Sequence, residues 1–264
     1  MEWWLGYLAI GAVVGFFAGL LGIGGGAIMV PLLVMLFDAQ GLPKDHMLHL
    51  AVGSGMASIL FTSVASVRAH LLRGSIRWDL AGRITPGILV GGLLGSAIAS
   101  IIPRGLFAAL FAGVVYIAAT SILLGRMPSA TRQVPGFIGM FIAGLVISSV
   151  SAFAAIGGAF MTIPFLMYCN VPLLQAIGTA AAVGFPIALA GSVGFIATGW
   201  GVSGLPEPHL GFVYFPALAG IVISSMLLAP AGAALAHSLP TKRLQQIFAV
   251  VLYLFATRML ISIW

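Results

Sequence analysis

The chain has 264 residues, of which 61% are hydrophobic and 6% are charged, and its formal net charge is +6. A soluble domain carries about a quarter charged residues, so this composition excludes an ordinary soluble protein. The basic residues fall between long apolar stretches, so the positive charge indicates orientation in a membrane rather than nucleic-acid binding. We therefore expect the lipid bilayer to be a partner, and we expect no nucleic acid.

Apolar stretches long enough to cross a ~30 Å hydrocarbon layer recur along the whole chain. We predict an all-α polytopic membrane protein with about eight long helices and two short ones, over residues 3–22, 26–37, 47–69, 80–101, 105–124, 134–154, 159–169, 172–198, 209–236 and 242–263. At 1.5 Å per residue the short helices, 26–37 and 159–169, cannot cross a bilayer alone. The first stretch lacks a basic flank and a small-residue cleavage site, so we interpret it as mature structure.

Three pairs of blocks match in the same order along the chain: 22–31 with 155–164, 51–54 with 176–179, and 103–123 with 240–260. Their spacings are 133, 125 and 137 residues. Glycine- and alanine-rich membrane helices resemble each other by composition, but composition does not explain three blocks in one order. We therefore predict two transmembrane repeats, residues 1–125 and residues 126–264.

The loop charges differ between the two repeats. Four arginines crowd one loop region of the first repeat, namely Arg68, Arg73, Arg77 and Arg83, whereas the counterpart around residues 200–210 has no Lys or Arg and carries Glu207. Because short cytoplasmic loops are enriched in Lys and Arg, equivalent loops are expected on opposite sides of the membrane. This predicts that the second repeat is inverted relative to the first, with both termini in the periplasm. Whether the short helices are re-entrant or count as spans stays open.

A glycine-rich helix break occurs once in each repeat. Glycine permits backbone conformations closed to other residues, so a helix can end there and a short one begin inside the membrane. The free N–H groups and partial positive charge of such a helix start suit an anion. We predict substrate contacts from the residues of both breaks: Gly24, Gly25, Gly26, Ala27, Gly157, Gly158, Ala159 and Phe160. The alternative is that these glycines only allow close helix packing.

Hydroxyl groups extend the predicted site. Ser54 and Thr179 hold equivalent places near the starts of two long helices, where each could donate to a bound oxyanion. Back-bonding to the helix carbonyl four residues earlier is an equal alternative. The two histidines nearest the spans, His49 and His70, are expected at helix or loop edges, so the sequence offers no obvious proton carrier.

An enzyme is not expected. Gly53-Ser54-Gly55 superficially resembles the serine motif of intramembrane proteases, but no histidine lies in the middle of a predicted span to activate it. The sequence also lacks a metal-ligand cluster, a phosphate-binding loop and a dinucleotide fingerprint at useful spacing. We therefore predict no catalytic residues, no metal and no cofactor.

The paired breaks carry a family likeness. Gly22-Ile-Gly-Gly-Gly-Ala-Ile-Met-Val-Pro31 and Ala155-Ile-Gly-Gly-Ala-Phe-Met-Thr-Ile-Pro164, each followed by Ala-[Val/Ile]-Gly-[Ser/Thr], resemble the sulfite exporter TauE/SafE family, also called the 4-toluene sulfonate uptake permease family. The resemblance implies a secondary transporter that moves sulfite, sulfoacetate or another organosulfonate across a bacterial inner membrane by alternating access. An anion channel and a non-transporting scaffold subunit are the alternatives. Substrate, direction, coupling ion and oligomeric state, including a homodimer, stay open.

Overall fold

The computed structural model describes residues 3–21, 25–124, 132–155, 157–236 and 241–261. Within these ranges it contains ten helices: α1 Trp3–Leu21, α2 Gly26–Ala39, α3 Met47–Leu72, α4 Trp78–Ile101, α5 Arg104–Leu124, α6 Phe137–Ala154, α7 Ala159–Tyr168, α8 Leu173–Gly199, α9 Phe215–Ala236 and α10 Thr241–Ile261. Five of them, α3 to α6 and α8, are both long and apolar enough to span a membrane. The predicted all-α membrane class is confirmed.

The start of α9 differs from the prediction. Residues 209–214 were expected to be helical, but they form a two-stranded ribbon, β1 His209–Leu210 and β2 Val213–Tyr214, with His209 opposite Tyr214. The turn between the strands contains Gly211 at φ +55°, a left-handed conformation that favours glycine and ends helical geometry. Helix α9 therefore begins at Phe215.

The helices of the two predicted repeats pack on each other reciprocally. Helix α1 packs along α9, and α6 packs along α4. Glycines carry both contacts: side chains placed at Gly15 and Gly87 would collide with the backbones of Ser225 and Phe141. Backbone-to-backbone approach through small residues is the usual way in which membrane helices gain packing energy.

Helices α3 and α8 run antiparallel through the centre of the molecule. Gly191 of α8 lies next to Met56 of α3. Four residues later on α8, Phe195 lies next to Gly53, which is three residues earlier on α3. The loop that follows α3 and the loop that follows α8 therefore lie at opposite ends of this pair.

Helices α5 and α10 form a third contact between the predicted repeats. The Tyr116 hydroxyl lies 2.6 Å from Thr257 Oγ1, and Thr120 Oγ1 bonds the hydroxyl of Tyr253. The two tyrosines are 137 residues apart, as are the two threonines. Each tyrosine is thus paired with the threonine of the other helix.

Candidate functional site

A cavity of about 450 Å³ lies among α1, α2, α3, α7, α8 and α9. Two helices begin at this cavity, because Gly25 immediately before α2 and Gly158 immediately before α7 both line it. The cavity continues along α3 as far as Arg73, the residue that caps the C-terminal end of this helix. It therefore joins two helix N-termini to the end of the molecule that carries the arginine-rich loop.

The starts of α2 and α7 have the same hydrogen-bonding pattern. In α2 the amides of Ile28 and Met29 are bonded to the Gly25 carbonyl, and in α7 the amides of Met161 and Thr162 are bonded to the Gly158 carbonyl. The N–H groups earlier in each first turn precede these bonds and point out of the helix start. Two helix dipoles thus present their positive ends at one cavity.

The start of α2 also approaches the end of α6, at the break that precedes α7. A side chain placed at Gly26 would collide with the carbonyl oxygen of Ala155, which follows α6 at φ +45°. The bare glycine backbone is therefore required for this approach. The Ala155 carbonyl therefore covers the Gly26 side of the α2 start, whereas Gly25, which packs against Val14, lines the cavity.

The structure brings together some of the residues predicted from sequence and not others. Four line the cavity: Gly25, Gly157, Gly158 and Ala159. Gly26 and Ala27 are buried beside it, and Phe160 is half-buried against the hydrophobic core. Gly24 lies outside the described residues.

Ser54 and Thr179 are not among the residues that line the cavity, and each contacts a backbone segment. The Tyr214 N–H donates to Ser54 Oγ at 2.9 Å, and the Arg77 N–H donates to Thr179 Oγ1 at 3.0 Å. Each hydroxyl therefore accepts a hydrogen bond from the backbone that leads into a helix of the other predicted repeat. From the sequence these hydroxyls are expected to be donors, either to an oxyanion or to the carbonyl four residues earlier. Their role as acceptors of a backbone N–H was not expected from it.

One face of α3 supplies a polar strip along the cavity. Ser58, Thr62, Ser66 and His70 follow one another at intervals of four residues and all line it, with Arg73 at its open end. Residues at this spacing share one face of a helix. The Ser58 hydroxyl donates to the Ser54 carbonyl at 2.8 Å, so it is held in place by its own helix.

The remaining cavity wall is largely apolar. The side chains of Val14, Met29, Ile59, Ile221 and Met226 line it. A ligand in this cavity therefore meets apolar side chains together with hydroxyls, helix starts and Arg73. The regular spacing of the polar residues on α3 is visible in the sequence. Only the fold shows that these residues line the same cavity as the two helix starts.

The structure buries two polar residues whose burial the sequence analysis does not predict. His49 lies near the start of α3, at a helix edge as expected, but it is only 4% exposed, and its Nε2 lies 3.1 Å from the Ala99 carbonyl oxygen. Thr162 is fully buried beside Gly158, and its hydroxyl has no hydrogen-bond partner among the described residues. Neither burial is visible in the sequence, because both depend on how helices pack in the fold.

The single cysteine of the chain, Cys169, is free and buried. Its side chain is only 4% exposed, so reagents in solution have little access to the thiol. No group of three or more His, Cys, Asp or Glu side chains suited to a metal occurs among the described residues.

Comparison with known proteins gives a consistent result. The family profile described as "Sulfite exporter TauE/SafE" matches residues 7–259. A "Probable membrane transporter protein" of Haemophilus influenzae is 33% identical over 256 residues, covering 97% of each chain. The "Probable membrane transporter protein YdhB" of Bacillus subtilis is 27% identical over 243 residues, covering 86% of this chain and 88% of its own length. No solved structure matches the chain.

Proposed function

This chain belongs to the sulfite exporter TauE/SafE family, and we propose on that premise that it is a secondary transporter for a small sulfur-containing anion in the bacterial inner membrane. Its relatives' names support a membrane transporter as the general class. The proposed substrate is sulfite, sulfoacetate or another organosulfonate, moved by alternating access.

The meeting of two helix starts in one cavity is the observation that carries this proposal. Gly25 and Gly158 line the same space, and the N-termini of α2 and α7 direct partial positive charge into it. Oxyanions bind well at such N-termini because several N–H groups point at the ligand. A discontinuous helix pair near the middle of a membrane is also the recurring substrate site of transporters with inverted repeats.

The apolar wall favours an organosulfonate over sulfite within this class. An anion such as sulfite would leave the side chains of Ile59, Ile221 and Met226 without a partner, whereas the carbon part of a sulfonate would cover them. The sulfonate oxygens would then face the helix starts and the hydroxyls of α3.

We also propose that residues 1–125 and 126–264 are inverted repeats. The reciprocal contacts of α1 with α9 and α6 with α4 support this, as does the position of their equivalent loops at opposite ends of α3 and α8. With the arginine-rich loop in the cytoplasm, both termini lie in the periplasm. The cavity then opens to the cytoplasm at Arg73, which corresponds to an inward-facing state.

Flux measurements in liposomes test the proposal. Purified protein is reconstituted, the vesicles are loaded with unlabelled sulfite, sulfoacetate or 4-toluenesulfonate, and uptake of the same radiolabelled anion is followed. A carrier gives saturable counterflow, with transient accumulation of label above its outside concentration. Uptake that equilibrates without accumulation would identify the channel alternative, and the absence of flux for all three anions would support the scaffold alternative.

A further inference from the structure

A second cavity, of about 140 Å³, lies at the opposite end of α3 from the mouth of the first. Met47, the first residue of α3, lines it, whereas the first cavity reaches Arg73 at the other end. Its other walls come from the C-terminal half of α2, the start of α5 and the last turns of α10. It therefore joins four helices at the end of the molecule that we place in the periplasm.

Two arginines and one aspartate line this cavity. Arg104 is the first residue of α5, Arg258 lies in the last turn of α10, and Asp38 lies near the end of α2. The Asp38 carboxylate already faces a cation, because Lys44 Nζ lies 3.8 Å from its Oδ1. Among the described residues neither guanidinium is within ion-pair distance of a carboxylate. The cavity therefore has an excess of positive charge.

The same arginines are exceptions to the charge rule that orients the chain. With the arginine-rich loop in the cytoplasm, the basic residues on the periplasmic side are Lys44, Arg104 and Arg258. Lys44 is accounted for by its pairing with Asp38, which leaves the two arginines that share this cavity. Because basic residues at this side oppose the usual bias of membrane insertion, their presence in one cavity calls for a local role.

We propose that this second cavity binds a tetrahedral oxyanion group of the phosphate or sulfate type, held between the guanidinium groups of Arg104 and Arg258. A guanidinium presents N–H groups in a planar fork that matches two oxygens of such a group. The N-terminus of α5, where Arg104 stands, adds a favourable dipole. One water requires roughly 10–15 Å³ of such volume, so the cavity has room for an oxyanion with bound water.

The site is separate from the transport cavity but shares a helix with it. The N-terminal end of α2 faces the first cavity at Gly25 and Met29, whereas Pro31, Val34 and Asp38 of the same helix line the second. An oxyanion in the second cavity would tie α2 to the ends of α3, α5 and α10. Its occupant is either a free ion or the phosphate of a lipid headgroup, which share this chemistry.

Two arms of one experiment distinguish these sources. In the first, lipid-free protein in a neutral detergent is titrated with sodium phosphate and sodium sulfate at constant ionic strength, and binding is followed by calorimetry. In the second, the protein is placed in nanodiscs of phosphatidylglycerol or of phosphatidylcholine, and retained lipid is measured by native mass spectrometry. Saturable phosphate or sulfate binding identifies a free ion, and retention of phosphatidylglycerol alone identifies a headgroup.

The variants connect either result to the cavity. We expect Arg104→Gln and Arg258→Gln each to weaken binding roughly tenfold, and Asp38→Asn to tighten it about threefold because a like charge is removed. Arg104→Lys and Arg258→Lys keep the charge and guard against misfolding, yet they lose the fork and should also bind more weakly. Arg68→Gln removes an equal charge outside both cavities and serves as the control.

The proposal is overturned if, in both arms, the Arg104 and Arg258 variants bind as the Arg68 control does. It is also overturned if neither arm detects binding to the unmodified protein. Because neither arm measures flux, this outcome is independent of whether the protein transports sulfonates.

Discussion

The backbone N–H of Tyr214 donates to Ser54 Oγ at 2.9 Å, across 160 residues of chain. An equivalent bond joins the Arg77 N–H to Thr179 Oγ1 at the other end of the molecule. In both places the preceding glycine, Gly53 or Gly178, closely approaches a carbonyl of the incoming segment. Each Gly-[Ser/Thr] pair thus contacts a segment of the other predicted repeat, whatever further contact its hydroxyl makes.

Removing either hydroxyl should destabilise the protein. Ser54→Ala and Thr179→Ala each leave a partly buried backbone N–H without its acceptor, at a cost of about 1–3 kcal/mol. Thermal unfolding of the detergent-purified variants should show a lower melting temperature. Thr179→Ser keeps the acceptor and should melt close to the unmodified protein. If the alanine variants melt with it too, these bonds contribute nothing to stability.

Gly158 should tolerate a methyl group only if its neighbour gives way. A side chain there would meet the Ile187 Cδ1 atom, which is the flexible end of a side chain rather than backbone. Gly158→Val is expected to abolish sulfonate counterflow while membrane insertion is preserved. Gly158→Ala should retain part of the flux, and adding Ile187→Ala should raise it.

Gly113→Ala is the matched control for the Gly158 series, because nothing lies within 4 Å of a side chain placed at Gly113. Normal counterflow by Gly158→Val would contradict a substrate site at the start of α7.

Arg73 is expected to speed anion entry from the end of the cavity that it occupies. A positive charge at a cavity mouth raises the local concentration of anions, and salt screens this effect. Arg73→Gln should therefore reduce the initial rate of sulfonate flux severalfold at low ionic strength and much less at high ionic strength. Arg68→Gln, which removes a charge outside the cavity lining, should leave the salt dependence unchanged. An equal loss in both variants would argue against a role for the mouth.

Cysteine labelling tests the proposed orientation. The native Cys169 is buried, so it should react slowly with maleimide and provide a low background. Ser75→Cys should be labelled from the cytoplasmic side and Ser203→Cys from the periplasmic side, using reagents that do not cross the membrane. Labelling of both from one side would contradict the inverted topology.

Most of the helices could be predicted from sequence because each is a long apolar stretch bounded by glycine, proline or charge. Met47 and Ala159 begin their helices where the pattern predicts. The exception is residues 209–214, which are apolar enough to extend α9 but form a ribbon that depends on Gly211 and on the Ser54 acceptor. Apolar composition indicates that a segment is buried. It does not indicate a turn such as the one at Gly211, whose ribbon is bonded to the distant Ser54 side chain.

The candidate site was less accessible to sequence reasoning. The glycines at both breaks were identified because their repetition is visible in the sequence, and Gly25 and Gly158 do line one cavity. The same repetition predicts Ser54 and Thr179, and the hydroxyl of each accepts a hydrogen bond from a backbone segment. A repeated motif shows which residues recur in both predicted repeats. It does not show whether such a residue binds a ligand or packs against another helix.

The pairing of α1 with α9 has a consequence for the biosynthesis of the chain. Gly11 and Gly15 of α1 fit against Ile221 and Ser225, about 200 residues later in translation. During synthesis the glycine face of α1 therefore has no α9 to pack against until nearly the whole chain has entered the membrane. Until then only lipid or insertion factors cover it. A truncated first half made alone would keep this face open, and we expect the cell's membrane proteases to remove it unless the second half is supplied as a separate polypeptide.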